Sequence, residues 1–156
     1  MKPSRLLYFA YGSNLNMEQM WNRCSGSYTV CNATLENYRL EFKSPFKRHG
    51  VATIEKDKLQ SVPGSLWSIN RKDLAALDRY EGFPTLYDRI NVTVTTGNGD
   101  KIQAMTYRIC HPYAKPTKPS SVYYNCIADG YKDHGINEEI LKEFLQKQTI
   151  RIPMTI

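Results

Sequence analysis

FAYGSNLN, Phe9 to Asn16, is the stretch on which the fold turns. The apolar run from Leu6 to Ala10 has the composition of a buried strand. It breaks on Tyr11-Gly12-Ser13-Asn14 and passes straight into MEQMWNRC, where Asn16 followed by Gln19 has the spacing of a helix-opening capping box. Strand-to-helix connections of this kind often leave several backbone N–H groups aimed at one point, and such a point attracts anions. The rest of the chain has to say which anion.

Working outward, the first helix is expected to end before Gly26. TVCNATL, YRLEF, VATIE and SLWSI are short β-rich runs separated by Asn, Pro, Gly and charged residues, which predicts an antiparallel, strongly curved sheet with Pro63-Gly64 as a turn between two strands. Asn70 caps a helix, RKDLAALDRYEG, with Asp73 in its first turn and Gly82 at its end. DRINVTVTT and KIQAMTYRI flank Gly97-Asn98-Gly99-Asp100 as a hairpin. HPYAKPTKPS reads as a surface loop, followed by two helices, SVYYNCIADGYKDHG and INEEILKEFLQKQ, the second with a stripe of Ile140, Leu141, Phe144 and Leu145. The expected fold is α+β: a mixed, mostly antiparallel, barrel-like sheet with flanking helices.

A length of 156 residues predicts one domain, 1–156, since such a chain can bury roughly 68–70% of its unfolded surface around one core. Apolar residues at 41% and charged residues at 23% match ordinary soluble proteins, and no run approaches the roughly 18 apolar residues of a membrane span. The apolar start is too short for a signal peptide and lacks a small-residue cleavage pattern. Cys24, Cys31, Cys110 and Cys126 form no C-x-x-C pair and show no zinc spacing, so reduced thiols in a cytoplasm are expected. The net charge of +6 raises the question of nucleic acid. The richest patch, Lys43, Lys47, Arg48, Lys56 and Lys58, carries no nucleic-acid motif and reads as a solvated face.

The most informative single residue is Glu81. At about 100° per residue it falls on the same helix side as Leu74 and Leu77, so a carboxylate occupies a core-facing position. It also sits in the last turn, where the negative end of the helix dipole opposes its ionisation, as burial does. Both effects make a better base. A glutamate at a frayed helix end pointing to water is the alternative, and Tyr80, Phe83 and Tyr87 nearby weigh against it.

YFAYGSNL near the N-terminus, LDRYEG in the middle, a Tyr soon after it, then PSSVYYNCIADG and HGI together resemble, in order and over nearly the whole chain, the γ-glutamylcyclotransferase superfamily with its AIG2-like members. The resemblance implies a small β-barrel with flanking helices, a place in γ-glutamyl and glutathione metabolism, and a reaction needing no cofactor or metal. In that reaction the α-amino group of a γ-glutamyl unit attacks its own γ-carbonyl, giving 5-oxoproline and a free amine or amino acid. It further implies that Tyr8, Phe9, Ala10, Tyr11, Gly12 and Ser13 cradle the substrate, with Asn14 supporting the turn. Glu81 would be the general base and acid, Tyr123 would bind substrate and Tyr87 would line the pocket. Two departures stand where substrate choice could be set: Asn137 where proline often follows HGI, and the length of the Gly82–Leu86 loop. Asn14 after Ser13 is unlike the YGSL of the glutathione-specific branch.

Competing constellations are thinner. Cys110 and His111 are strand neighbours facing opposite ways, while Cys24 with His49 or His134 stays geometrically open. Three histidines without an i,i+4 pair argue against a metal enzyme. The eleven tyrosines could form a stacking surface for single-stranded nucleic acid, though Tyr38, Tyr80 and Tyr107 suit packing. An inactive binding module of the same fold is the other alternative. The expected partner is a small γ-glutamyl molecule, with no nucleic acid and no membrane. The identity of the leaving amine stays open between an amino acid, a polyamine, a lysine ε-amine and a larger amine, and oligomeric state is open as well, a homodimer included.

Overall fold

The computed structural model describes residues 4–46 and 48–151. β1 (Arg5–Ala10) leads through a 3-10 turn (Ser13–Leu15) into α1 (Met17–Arg23). β2 (Tyr28–Ser44) and β3 (Val51–Asn70) follow, then α2 (Arg71–Glu81), β4 (Tyr87–Thr96), β5 (Lys101–Ile109), the two-residue β6 (Lys115–Pro116), α3 (Ser121–Asp133) and α4 (Glu138–Arg151). The sheet runs β3-β1-β5-β4-β2-β6, and a further β2–β3 pairing joins its ends into a five-stranded closed ring with β6 appended. Closure removes the exposed strand edges that an open sheet of this size would present. β1 runs parallel to β5 and antiparallel to β3. The expected barrel-like α+β fold is therefore the fold observed.

The four short strands expected between residues 29 and 69 are two long ones, which corrects that reading. Asn37, with a φ of 66°, and the register shift beside it bend β2 without ending it. Pro63 and Gly64 lie inside β3, opposite Thr34 and Ala33, and make no turn. Gly64 is there for close approach. A Cβ on it would lie 2.3 Å from the carbonyl oxygen of Ala10 and 2.6 Å from the Phe9 ring, so β1 could not pack against β3 with any larger residue.

The hairpin, the α2 caps and the C-terminal helices form as expected. Asn70 and Asp73 make a full capping box on α2. At α1 only half the box forms: the Asn16 side chain accepts from the Gln19 N–H, while the Gln19 side chain accepts instead from Arg23. The core runs from the barrel interior, with Phe9, Leu40, Ile54, Leu66 and Val94, to the inner faces of α3 and α4 at Ile127, Leu141 and Phe144. Ile140 and Leu145 are partly buried against it, and Gln148 joins the stripe by bonding both backbone groups of Phe42. No helix among the described residues is long and apolar enough to cross a membrane.

Candidate active site

A cavity of about 180 Å³ opens where β1 ends, β3 and β4 begin and β5 finishes. Six of the eleven tyrosines line it (Tyr8, Tyr11, Tyr80, Tyr87, Tyr107 and Tyr123), together with Gly12, Ser13, Asn14, Val51, Ala52, Leu86 and one ionisable carboxylate, Glu81.

Glu81 is held there by how α2 ends. Gly82 takes the left-handed conformation, with φ 66° and ψ 37°. Its N–H donates to the Arg79 carbonyl and that of Phe83 to the Asp78 carbonyl, the paired bonds of a Schellman termination. The chain reverses immediately after Glu81, so its side chain points inward and does not fray into water. Leu77, one turn earlier, is fully buried. Glu81 is half-buried as a residue, yet burial of its carboxyl pushes the pKa up to about 7, against a smaller lowering by the Arg23 guanidinium.

The Gly12–Leu15 turn faces it. Leu15 N–H donates to the Gly12 carbonyl, while Ser13 and Asn14 open the turn and their N–H groups precede its first donor. A Cβ on Gly12 would lie 3.2 Å from that of Ala52, so glycine keeps the floor of the cavity open. The turn is pinned from behind. Asn16 Nδ2 donates to the Cys126 carbonyl, Met17 N–H to Asp133, and His134 Nε2 lies 2.8 Å from the Leu15 carbonyl. A Cβ on Gly130 would lie 2.6 Å from Asn16 N, so α3 reaches the turn only because residue 130 has no side chain.

The tyrosine hydroxyls divide into two kinds. Tyr11 donates to the Tyr107 carbonyl and Tyr87 to the Ala52 carbonyl, each at 2.5 Å, which uses their protons structurally. Tyr8 and Tyr123 instead accept, from Asn14 Nδ2 and from Ala52 N–H, both at 2.9 Å. Their own O–H protons stay free to donate to whatever fills the cavity. Burial raises the pKa of all four, so they are neutral donors at physiological pH.

Of the residues the sequence pointed to, Tyr8, Tyr11, Gly12, Ser13, Asn14, Glu81, Tyr87 and Tyr123 come together around this cavity. Phe9 and Ala10 do not line it: both are fully buried in β1, Phe9 accepting from Thr106 through its carbonyl and Ala10 paired with Ser65. Tyr80 and Tyr107, read as packing residues, line the cavity as well, and Tyr107 donates to Asp78 at 2.7 Å. Arg23 gave no sequence signal, because a basic residue in a last helical turn is ordinarily explained by the helix dipole alone.

Cys24 and His134 do not form a dyad. Cys24 is buried with its thiol against the Asp73 carbonyl at 3.5 Å, and its pKa is pushed up to about 12 by burial and then by Asp73, while His134 is engaged with Leu15. No cluster of His, Cys, Asp and Glu suited to a metal occurs among the described residues. Within the basic patch Lys43 bonds Glu55 at 2.9 Å and approaches Glu41 at 3.8 Å. Lys47 lies outside the described residues.

Residues 8–126 match the family model described as gamma-glutamyl cyclotransferase, AIG2-like. The chain is 33% identical over 144 residues to a protein of Bos taurus named gamma-glutamylcyclotransferase, covering 88% of this chain and 76% of that one. It is 34% identical over 137 residues to the Homo sapiens protein of the same name, covering 83% and 72%. A solved structure titled gamma-glutamyl cyclotransferase superposes with a TM-score of 0.79 at 29% identity, over 98% of this chain and 91% of that one.

Proposed function

The chain belongs to the gamma-glutamyl cyclotransferase, AIG2-like family and is an enzyme of that kind, and from this premise we propose that the Glu81 cavity is its active site. The substrate is a γ-glutamyl amino acid or amine, and the products are 5-oxoproline and the freed amine. The α-amine nitrogen attacks the γ-carbonyl carbon, closing a five-membered ring, and Glu81 takes the proton that nitrogen sheds. The carbonyl oxygen becomes an oxyanion. As it collapses, the bond to the leaving nitrogen breaks and Glu81 returns the proton to that nitrogen.

The observation that carries the reading is a lone desolvated carboxyl facing a donor-lined hollow. An ordinary glutamate would be mismatched to an α-amine of about 7.7–8.0 by roughly 3.5 units, close to 4.8 kcal/mol. With Glu81 at about 7 the gap narrows to about one unit, so proton transfer runs in either direction at little cost. Tyr8 and Tyr123 offer O–H donors, and the Ser13 and Asn14 N–H groups offer backbone donors, for the substrate carboxylate and the developing oxyanion. Holding amine and carbonyl in ring-closing geometry supplies the rest.

The test is incubation with a panel of γ-glutamyl compounds, watching for 5-oxoproline by mass spectrometry, with the Glu81→Gln variant run in parallel. Release by the wild type and none by the variant is expected; an equally active variant would remove Glu81 from the mechanism.

A further inference from the structure

Among the described residues, Arg23 is the cation that acts on Glu81 from behind the cavity wall. Its guanidinium donates to Asn14 Oδ1, lies 3.3 Å from Ser13 Oγ, donates to Gln19 Oε1 at 2.7 Å, and sits 3.4 Å from the centroid of the Tyr80 ring. Among the described residues it makes no ion pair with a carboxylate. An arginine braced by four neutral partners keeps its full charge and has its position fixed.

The consequence reaches the cavity through Asn14. A carboxamide can present either its oxygen or its NH₂ to a given neighbour. Arg23 has only donors, so the Asn14 oxygen must face it and the NH₂ must face the other way. That NH₂ lies 2.9 Å from the Tyr8 hydroxyl oxygen and 3.4 Å from Glu81 Oε1. With its oxygen accepting from Asn14, Tyr8 can turn its proton only toward the cavity.

We propose that Arg23 is the positioning residue of this site: by locking the Asn14 carboxamide it aims one N–H at Glu81 and frees the Tyr8 O–H for the substrate. The inference rests on the reading of the cavity as the active site. Arg23 also stabilises the ionised form of Glu81 through space. The other groups facing Glu81 are the neutral hydroxyls of Tyr8 from β1, Tyr11 from the following loop, Tyr87 from β4, Tyr107 from β5 and Tyr123 from α3, and the Tyr80 side chain lines the cavity from its own helix. Arg23 therefore provides the counter-charge.

The two roles separate experimentally. At pH 8.5, where Glu81 is ionised, Arg23→Met should cut kcat/KM for 5-oxoproline release by about 10–100-fold, the cost of a displaced catalytic contact. Combined with Asn14→Ala it should cost no more than Asn14→Ala alone, because residues that act through one another are not additive. Arg23→Lys, which keeps the charge without the planar fork, should keep the pH profile while losing much of the rate. A substrate-free readout accompanies these: the ¹³C resonance of the Glu81 carboxyl, assigned by its absence in Glu81→Gln, should titrate about half a unit or more higher in Arg23→Met. An Arg23→Met protein with unchanged kcat/KM and an unmoved carboxyl titration overturns the proposal. A wild type silent on every γ-glutamyl compound overturns the reaction instead, and the carboxyl titration still decides the role of Arg23.

Discussion

Two of this molecule's hollows differ more in the chemistry of their linings than in size. A groove of about 730 Å³ runs along mid-β2, mid-β3 and the end of β4, past Thr34, Leu59, Ser61 and Gly97. The tyrosine cavity is about a quarter of that size, at about 180 Å³. Each holds a glutamate, and the two are driven in opposite directions. Glu36 in the groove is fully exposed and held below its ordinary value by hydrogen bonds from Thr95 and Lys101 and the Lys101 charge. Glu81 is desolvated and raised to about 7. Volume alone therefore does not make a site. What marks the smaller hollow as the proposed site is a carboxyl with no cation directly on it, enclosed by aromatic walls that present a few O–H and N–H donors.

The contrast breaks most decisively at the two glutamates. Glu81→Gln should lower kcat/KM by about 10²–10⁴-fold, and Glu36→Gln should leave it unchanged. Equal losses in the two variants, measured as 5-oxoproline release, would mean that the distinction between the hollows is wrong. The wild-type rate should also climb as pH rises through about 7, because the base must first lose its own proton. A profile flat from pH 5.5 to 8.5 would place the ionisation elsewhere.

Next in size is the loss of one donor. Tyr123→Phe removes the free O–H and also deprives the Ala52 N–H of its acceptor. The expected cost is roughly 10²-fold in kcat/KM. Tyr87→Phe tests the division between the two kinds of tyrosine, since the proton of Tyr87 is already given to a backbone carbonyl. Its loss should appear in stability, by about 1 kcal/mol, more than in rate.

Stability separates the hollows again. A carboxyl whose folded pKa is raised favours the folded state fully below its unfolded value and loses that contribution as pH climbs to its folded value. For Glu81 the window runs from about 4.5 to about 7. Glu81→Gln should therefore be the more stable protein at pH 8, by roughly 1–3 kcal/mol, and gain nothing at pH 4. At Glu36, whose folded pKa is lowered, the sign is reversed, and full exposure leaves little to measure. Denaturant melts at the two pH values read this directly. Gly130→Ala provides an inactivating change from behind the site. Its methyl must push α3 off the Leu15–Asn16 backbone, at a cost of about 1–3 kcal/mol and with displacement of the turn that lines the cavity.

These differences follow from how far apart in sequence the causes lie. The α2 helix was legible from end to end, because Asn70, Asp73 and Gly82 act within a few residues of themselves, and the inward face of Glu81 followed from period alone. The β4–β5 hairpin was equally local. The β2–β3 ribbon was not: Asn37 and Pro63-Gly64 look like strand ends until the partner strand is present to pair across them. Arg23 shows the same limit at the site. Nothing within nine residues says that its guanidinium will meet Asn14, and the stacking of Tyr80 on it joins two helices 57 positions apart. Tyr107 read as core because it is core, packed edge-on to Tyr8 at 5.8 Å, and only the closed ring gives one edge of it to the cavity.

His134 offers the smallest effect: it lines neither hollow but links the turn beside one to a residue of the other. Its ring holds the Leu15 carbonyl of the Gly12–Leu15 turn, while its own carbonyl accepts from Asn32 at the groove, at 2.7 Å. Burial lowers its pKa below the ordinary histidine value, outweighing the Leu15 bond and the Asp133 charge that favour protonation. In the window below about 6.5 the unfolded chain therefore binds the proton more readily than the folded one, so stability falls as pH falls through it. His134→Gln keeps an N–H donor for Leu15 and has no proton to gain. Hydrogen exchange of the amides in residues 12–17 should quicken between pH 7.5 and 5.5 in the wild type, after correction for intrinsic rates, and should not in His134→Gln. Amides of β2 beside the groove should be steady in both, since the Asn32 contact is made to a backbone carbonyl that does not titrate. Equal quickening on both sides would show that the imidazole supports the whole molecule and not the Gly12–Leu15 turn in particular.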